Sequence, residues 1–459
     1  MKSVAEIFFI CASLICGGFA VDARADQASD QSDPVRALTK RVEELEKALA
    51  AKRSADATTA QPISTPGSSA PFTPKAPFLP SVEAPMTTGS TPFTFGSDTL
   101  SVTLYGLISA GVTSVSNING KAYKGFLSGP QQPPRFGAKT FWDLGDGNSA
   151  IAVLEGGYSL ANGTLGQGGR IFGRQAFFGA QSLKYGAVTL GRQYDEIATQ
   201  LWWSESGNVF ATFGDHIGDN DNIANTFRLN NSVRYQAPKF NNITLAGSYA
   251  VSNQPSNPTT NQSQNNSAVS VGGQYDGRDA SKDGVRAGLA FTRLSNPNSS
   301  TNANGAVDSG YGFSSPFVTS PTAKKAAVMR QRIGVAGASY SIGPYTVTGG
   351  YSNVHFDYQD SSGLKLQNAE LFGTVLITPK LLAGLGLMYT KGAYSTGTNP
   401  NWKQINIGVD YFINRYIDVF LVDNYQRAGG DATQAWIYTL SPSSSTSQNA
   451  LTAGMRVKF

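Results

Sequence analysis

The residues able to do chemistry in this chain are charged, and they sit among apolar neighbours. Arg135 and Lys139 share one face of a strand-like stretch, opposite Phe136 and Ala138. Arg234 lies between Val233 and Tyr235, and Arg330 and Arg332 alternate with Gln331 and Ile333. A run without periodic pattern carries Asp195, Glu196, Glu205, Asp215, Asp219 and Asp221, with Trp202, Trp203 and Phe210 as apolar anchors. Glu155, beside Val153 and Leu154, is expected to face the same side as the bases and to pair with one of the arginines. Bases on a wall opposite acids on a loop create a transverse field, which orients dipolar solutes and disfavours apolar ones. Bond-making chemistry has little to work with. The chain has two histidines, His216 and His355, and neither stands beside a nucleophile motif. A hydrolase acting at a membrane surface is therefore the remote reading. Asp215, Asp219 and Asp221 lack the full spacing of a calcium loop, so no metal is assigned, and no cofactor.

These charges need a scaffold that shows them to water and hides their neighbours. The last residues supply the pattern. Leu451, Ala453, Met455, Val457 and Phe459 fall on one face, and Thr452, Gly454, Arg456 and Lys458 on the other. The same period of two recurs in Val102/Leu104/Gly106/Ile108/Ala110/Val112, Leu245/Gly247/Tyr249/Val251, Val269/Val271/Gly273/Tyr275, Val285/Ala287/Leu289/Phe291, Leu371/Gly373/Val375/Ile377 and Ile405/Ile407/Val409/Tyr411. Strands of this kind suit a wall between lipid and water. An Arg or Lys facing lipid at the midplane costs about 2–4 kcal/mol, so alternation assigns Arg135, Lys139, Arg234, Arg330 and Arg332 to a wet interior.

Connections alternate in length. Tight ones fall near 144–148, 183–186, 237–241, 276–284, 342–344, 378–380 and 413–415. Long Asn/Ser/Gly-rich ones fall near 116–133, 159–169, 193–227, 252–265, 294–328, 357–363, 392–401 and 428–447. Eight long and seven short connections predict an all-β fold, a sixteen-stranded antiparallel transmembrane barrel. Such a barrel is too wide for side chains to fill, so its lumen holds water. Composition agrees: 50 glycines, 11% aromatic and 15% charged residues, with no apolar run beyond the N-terminus long enough for a membrane helix. The net charge of +5 is mild and its bases are spread along the strands, which excludes nucleic acid as a partner.

The chain divides into four parts. Residues 1–25 read as a secretory signal, with Lys2, the apolar run from Ile7 to Ile15, and Ala23-Arg24-Ala25 before Asp26. Both cysteines, Cys11 and Cys16, fall inside it, so the mature chain has no thiol chemistry. Residues 26–53 contain a short coiled-coil helix. Asp33 caps it, Pro34 suits its first turn, and Val35, Leu38, Val42, Leu45 and Leu49 follow a 3-4 spacing that calls for self-association. Residues 54–98 form a Pro/Ser/Thr-rich linker, and residues 99–459 the barrel.

Several motifs then fall into a known order. Val102-Thr103-Leu104-Tyr105-Gly106, Arg135-Phe136-Gly137-Ala138-Lys139 with Asp143-Leu144-Gly145, Arg174-Gln175-Ala176-Phe177, Leu190-Gly191-Arg192-Gln193, Asn231-Ser232-Val233-Arg234-Tyr235 and Phe459 resemble the Gram-negative general porin family. These are the trimeric diffusion porins of the neisserial and Burkholderia type. The resemblance implies a homotrimer of independent pores in outer-membrane lipid, each narrowed by an inward-folded third long loop. By motif, Arg174 and Arg192 join the basic wall, which faces Glu205, Asp215, Asp219 and Asp221 across the eyelet. Phe459 is the barrel-closing signal. The implied function is passive diffusion of ions and small hydrophilic solutes, with an anion- or phosphate-selective channel as the alternative. Two departures stand out. Most members lack the coiled coil and linker, which are expected in the periplasm, joining three chains or touching the cell wall. The stretch Gln200-Leu201-Trp202-Trp203-Ser204-Glu205 does not reproduce the usual loop-three sequence.

Overall fold

Period-two alternation becomes a closed wall. The computed structural model describes residues 93–97, 99–252, 266–279, 281–297, 305–307 and 310–459. The signal segment, the coiled-coil helix and nearly all of the linker lie outside the described residues. The wall strands are β1 (Leu100–Ile118), β2 (Arg135–Gly145), β3 (Asn148–Gly157), β4 (Gln175–Ser182), β5 (Gly186–Gln193), β6 (Leu229–Gln236), β7 (Ile243–Val251) and β8 (Ser267–Asp276). They continue with β9 (Gly284–Ser295), β10 (Val328–Ile342), β11 (Tyr345–Tyr358), β12 (Gly363–Thr378), β13 (Leu381–Tyr394), β14 (Pro400–Phe412), β15 (Ile417–Gly430) and β16 (Ser447–Lys458). Each pairs antiparallel with the next, and β16 returns to β1 from Ala450↔Val115 to Lys458↔Leu107. The ring thus has the sixteen strands that the connections predict.

Two short pieces lie along β1 outside the ring. Lys121–Ser128 folds back on the long upper part of β1 through Asn119 and Gly120, whose φ angles of 51° and 92° are those of a primed hairpin turn. Thr94–Gly96, within the stretch read as linker, pairs with Ser101–Thr103. It lies just beyond Phe459, whose amide and carbonyl bond Gly106 at 3.0 and 2.9 Å. The Phe459 ring fills the place a side chain would occupy at Gly106, since a Cβ there would lie 2.3 Å from it. Phe93 meets the same ring edge-on at 6.3 Å.

The outer face carries the expected alternation. Leu104, Val112, Leu245, Tyr249, Val269, Val271, Leu289, Phe291, Leu371, Ile405, Ile407, Leu451 and Met455 are all exposed there, a greasy belt with nothing but lipid to match it. The interior is of two kinds. Stretches of β10 to β12 are apolar: Ile333, Val335, Val354, Phe356, Tyr358, Leu364 and Leu366 pack with Ile197, Leu201, Ile217 and Ile223 of the long β5–β6 connection. A second apolar set, Phe372 of β12 with Phe420 and Val422 of β15, packs on Phe210 of the same connection, and much of the rest is polar.

That apolar interior corrects one expectation. Arg330 and Arg332 do not point into the lumen. Gln331 does, donating to the backbone of Asn220 at 2.8 Å, and so does Ile333. The arginines take the opposite face, about 40% exposed, where both reach Asp357. The alternation rule assumes that apolar side chains always face lipid. Here a folded-in loop supplies a second apolar surface, and the apolar residues of β10 turn towards it.

Candidate functional site

The connection between β5 and β6, residues 194–228, runs inside the barrel along the wall. It begins with helix α1 (Glu196–Leu201), capped by Asp195, whose side chain accepts from the Ala198 amide at 3.0 Å. The other oxygen of that carboxylate accepts from Thr292 of β9 at 2.8 Å, so one acid both starts the helix and ties it to the wall. Burial pushes this carboxyl up to about 7. Glu196 makes a two-pronged pair with Arg234, at 2.9 Å to Nε and 3.1 Å to Nη2, and its amide donates to the Ser270 hydroxyl at 2.8 Å. Arg286 of β9 lies over the rings of Trp203 and Trp202, at 4.6 and 5.5 Å to their centroids.

Close approach of the loop needs a bare wall. A Cβ on Gly337 would stand 2.5 Å from Cβ of Ser204, in a tight turn that has nowhere to retreat. Gly337→Val is therefore expected to push this turn off the wall at a cost of about 1–3 kcal/mol. Protease digestion in detergent should then cut between residues 194 and 228, where the parent chain is protected. An unchanged digestion pattern would show that the loop does not rest on Gly337.

The loop acids are placed differently from the eyelet expected of them. Glu205, Asp215, Asp219 and Asp221 do not look across open water; all are at most 4% exposed, tucked between loop and wall. Asp219 accepts from the amides of Ala224 (3.1 Å) and Thr226 (2.8 Å), tightening the loop itself. Asp221 accepts from the hydroxyl of Ser352 and from the side-chain amide of Asn368 at 3.2 Å, and the Ser206 amide donates to Glu370 at 3.0 Å. At the centre is His216. Its Nδ1 lies 2.9 Å from Asp221 and 3.2 Å from Glu205, and its Nε2 lies 3.7 Å from Glu370. Burial and the nearby charges of Asp215, Asp221, Asp219 and Glu370 hold the Glu205 carboxyl well above the usual carboxylate range. Burial draws the His216 imidazole down, but Asp221 and Glu370 outweigh it and hold it up at about 9.

The bases of β2 to β6 divide in two groups. Arg135, Lys139 and Arg174 gather with Glu155 on the wall near β1. Glu155 accepts from Nε of Arg174 at 2.6 Å and from the Tyr105 hydroxyl at 2.9 Å, and Arg174 donates onward to the Tyr194 hydroxyl at 2.8 Å. Arg135 donates to the Pro133 carbonyl at 3.2 Å, and the Lys139 ammonium sits 4.9 Å over the Tyr105 ring. The second group serves the loop and its surroundings: Arg234 through Glu196, and Arg192 through the Gly173 carbonyl at 2.8 Å and the Asn230 side chain. A further inward network joins Arg456 to Asp418 (3.0 Å) and Asp410 (3.2 Å), with Lys458 at 3.3 Å from Asp418.

Three parts of this site escape a reading of the sequence. His216 enters that reading only as a weak candidate catalyst, and Glu370 and Arg286 do not enter it at all. The inward polar series Ser352, Asn368 and Glu370 on adjacent strands is the available signal, since each alternates with an outward residue.

A lipid-facing ring of sixteen strands with a long connection folded inside defines a class of outer-membrane β-barrel. The model of the Gram-negative porin family matches residues 84–431, and the chain belongs to that family. An outer membrane porin protein of Bordetella pertussis is 35% identical over 167 residues, 33% of this chain and 43% of that protein, so the match spans under half the length of this curated relative. An anion-selective porin from Comamonas acidovorans, 18% identical, superposes with a TM-score of 0.62 over 78% of this chain and 100% of its own. The trimer form of OmpT from Vibrio cholerae, 16% identical, does so at 0.56 over 79% and 100%. At those identities the two solved structures speak for the fold alone.

Proposed function

We infer that the chain is a passive outer-membrane channel through which ions and small hydrophilic solutes diffuse. One observation carries this reading: a closed ring of sixteen strands has a charged inner face, with Lys139 and the Arg135, Arg174 and Glu155 cluster near β1, and a long loop packed within it against β8–β16 and, through Phe213, Val115 of β1. A ring of sixteen strands is too wide for side chains to fill, so water passes beside the loop, and fixed charge beside that path biases what crosses. Of the Arg135–Lys139–Arg174 group with Glu155, half-buried Lys139 is the charge that meets the solute path, while Arg135, Arg174 and Glu155, like the loop acids, are buried. By family, the working unit is a homotrimer. The N-terminal helix is its periplasmic bundle or a contact to the cell wall, and no catalytic step is assigned.

Purified protein added to a planar bilayer should give stepwise conductance, with flux of an uncharged sugar rising linearly with concentration. Saturation with a single anion would favour the selective alternative. A silent membrane would overturn both.

A further inference from the structure

The pocket around His216 does not close on itself. Five acids, Glu205, Asp215, Asp219, Asp221 and Glu370, surround one imidazole, and His216, Glu205 and Asp221 are at most 1% exposed. Neither nitrogen of His216 makes a hydrogen bond, although Nδ1 lies 2.9 Å from Asp221 and 3.2 Å from Glu205. Glu205 Oε2, Asp221 Oδ1 and Glu370 Oε1 likewise have no partner. Orphaned atoms of this kind, fully buried, are costly and rare. Ligand atoms of Glu205, His216 and Asp221 all lie within 4.8 Å of one another.

We propose that Glu205, His216 through Nδ1, and Asp221 bind a divalent first-row metal ion, with zinc the best match, while Glu370 faces the other imidazole nitrogen from the wall. An imidazole nitrogen with carboxylate oxygens suits zinc and its neighbours; calcium and magnesium favour all-oxygen cages. The donors are already oriented. The His216 amide holds Glu205 at 2.8 Å, and Asn368 and Ser352 hold Asp221. This set differs from the Asp215/Asp219/Asp221 calcium pattern that the sequence fails to complete. The ion braces the inner loop at the point where Asp221 bonds Ser352 of β11 and Asn368 of β12, and the inference stands whether or not solutes cross the barrel.

The test uses full-length protein in detergent, stripped with chelator, then dialysed against micromolar zinc chloride and analysed for bound metal. One zinc per chain is expected, retained against excess calcium, with a rise in melting temperature and an absorption-edge spectrum showing a single imidazole ligand. His216→Asn and Asp221→Asn should each lower zinc affinity at least tenfold. His355→Asn, which changes the other histidine, should not. Circular dichroism confirms that each variant remains a barrel, and the melting shift of the unaltered chain gives a readout that no variant's folding can obscure. Folded parent protein that binds no zinc, or zinc binding that survives His216→Asn, overturns the proposal.

Discussion

Glu196→Leu should destabilise the attachment of the inner loop by about 3–5 kcal/mol, the cost of leaving the buried Arg234 guanidinium without its carboxylate. What remains to Arg234 is the amide oxygen of Gln236 at 3.2 Å, a weaker partner. Two measurements follow the loss: a lower melting temperature, and larger, noisier single-channel conductance as helix α1 leaves the wall. Replacing both residues, Glu196→Leu with Arg234→Leu, should recover most of the stability, because no charge is then left buried alone. A double variant as weak as the single one would mean that Glu196 acts through its bonds to Thr199 and Gln200 rather than through Arg234.

The second large effect concerns selectivity. Lys139→Glu exchanges a positive for a negative charge on the lumen wall, next to Tyr105 and near Glu155. For a monovalent ion passing at roughly 8 Å in water, two units of charge amount to ~1 kcal/mol, favourable to cations and unfavourable to anions, or about thirtyfold in their ratio before screening. The zero-current potential in a salt gradient should move towards cations, less so at high ionic strength. Arg330→Glu with Arg332→Glu changes twice as much charge and should leave that potential where it was, because both side chains lie outside the ring beside Asp357. Equal shifts from the two experiments would place the arginines in the ion path after all.

The barrel is legible in the sequence because its determinants are local. Each strand states its own two faces, as Leu451 to Phe459 do, and strand count follows from where the turns fall. The inner loop is legible only in part. Its length and its tryptophans mark it as a folded insertion, but the partners of its acids come from distant strands. Asp221 meets Ser352 and Asn368, and Glu196 meets Ser270. Nothing near Asp221 announces such neighbours. The same gap explains Arg330 and Arg332: inward apolar residues such as Ile333 and Val354 look like lipid-facing ones until the loop covering them is known. Glu155 reads from the sequence as the partner of a wall arginine, and that contact is local enough to be visible, since β3 leads directly into the segment bearing Arg174.

The join between β16 and β1 has a consequence for assembly. A sheet lacking its final strand would present two raw borders of unpaired amides and carbonyls, each a template for a stray chain. The stretch from Ala450 to Phe459 removes both at once, bonding Val115 through Gly106. Closure is therefore an all-or-none event that must wait for the most distant parts of the barrel sequence to meet, and such long-range pairing is slow. Until it happens, the unfinished sheet depends on being kept away from others of its kind.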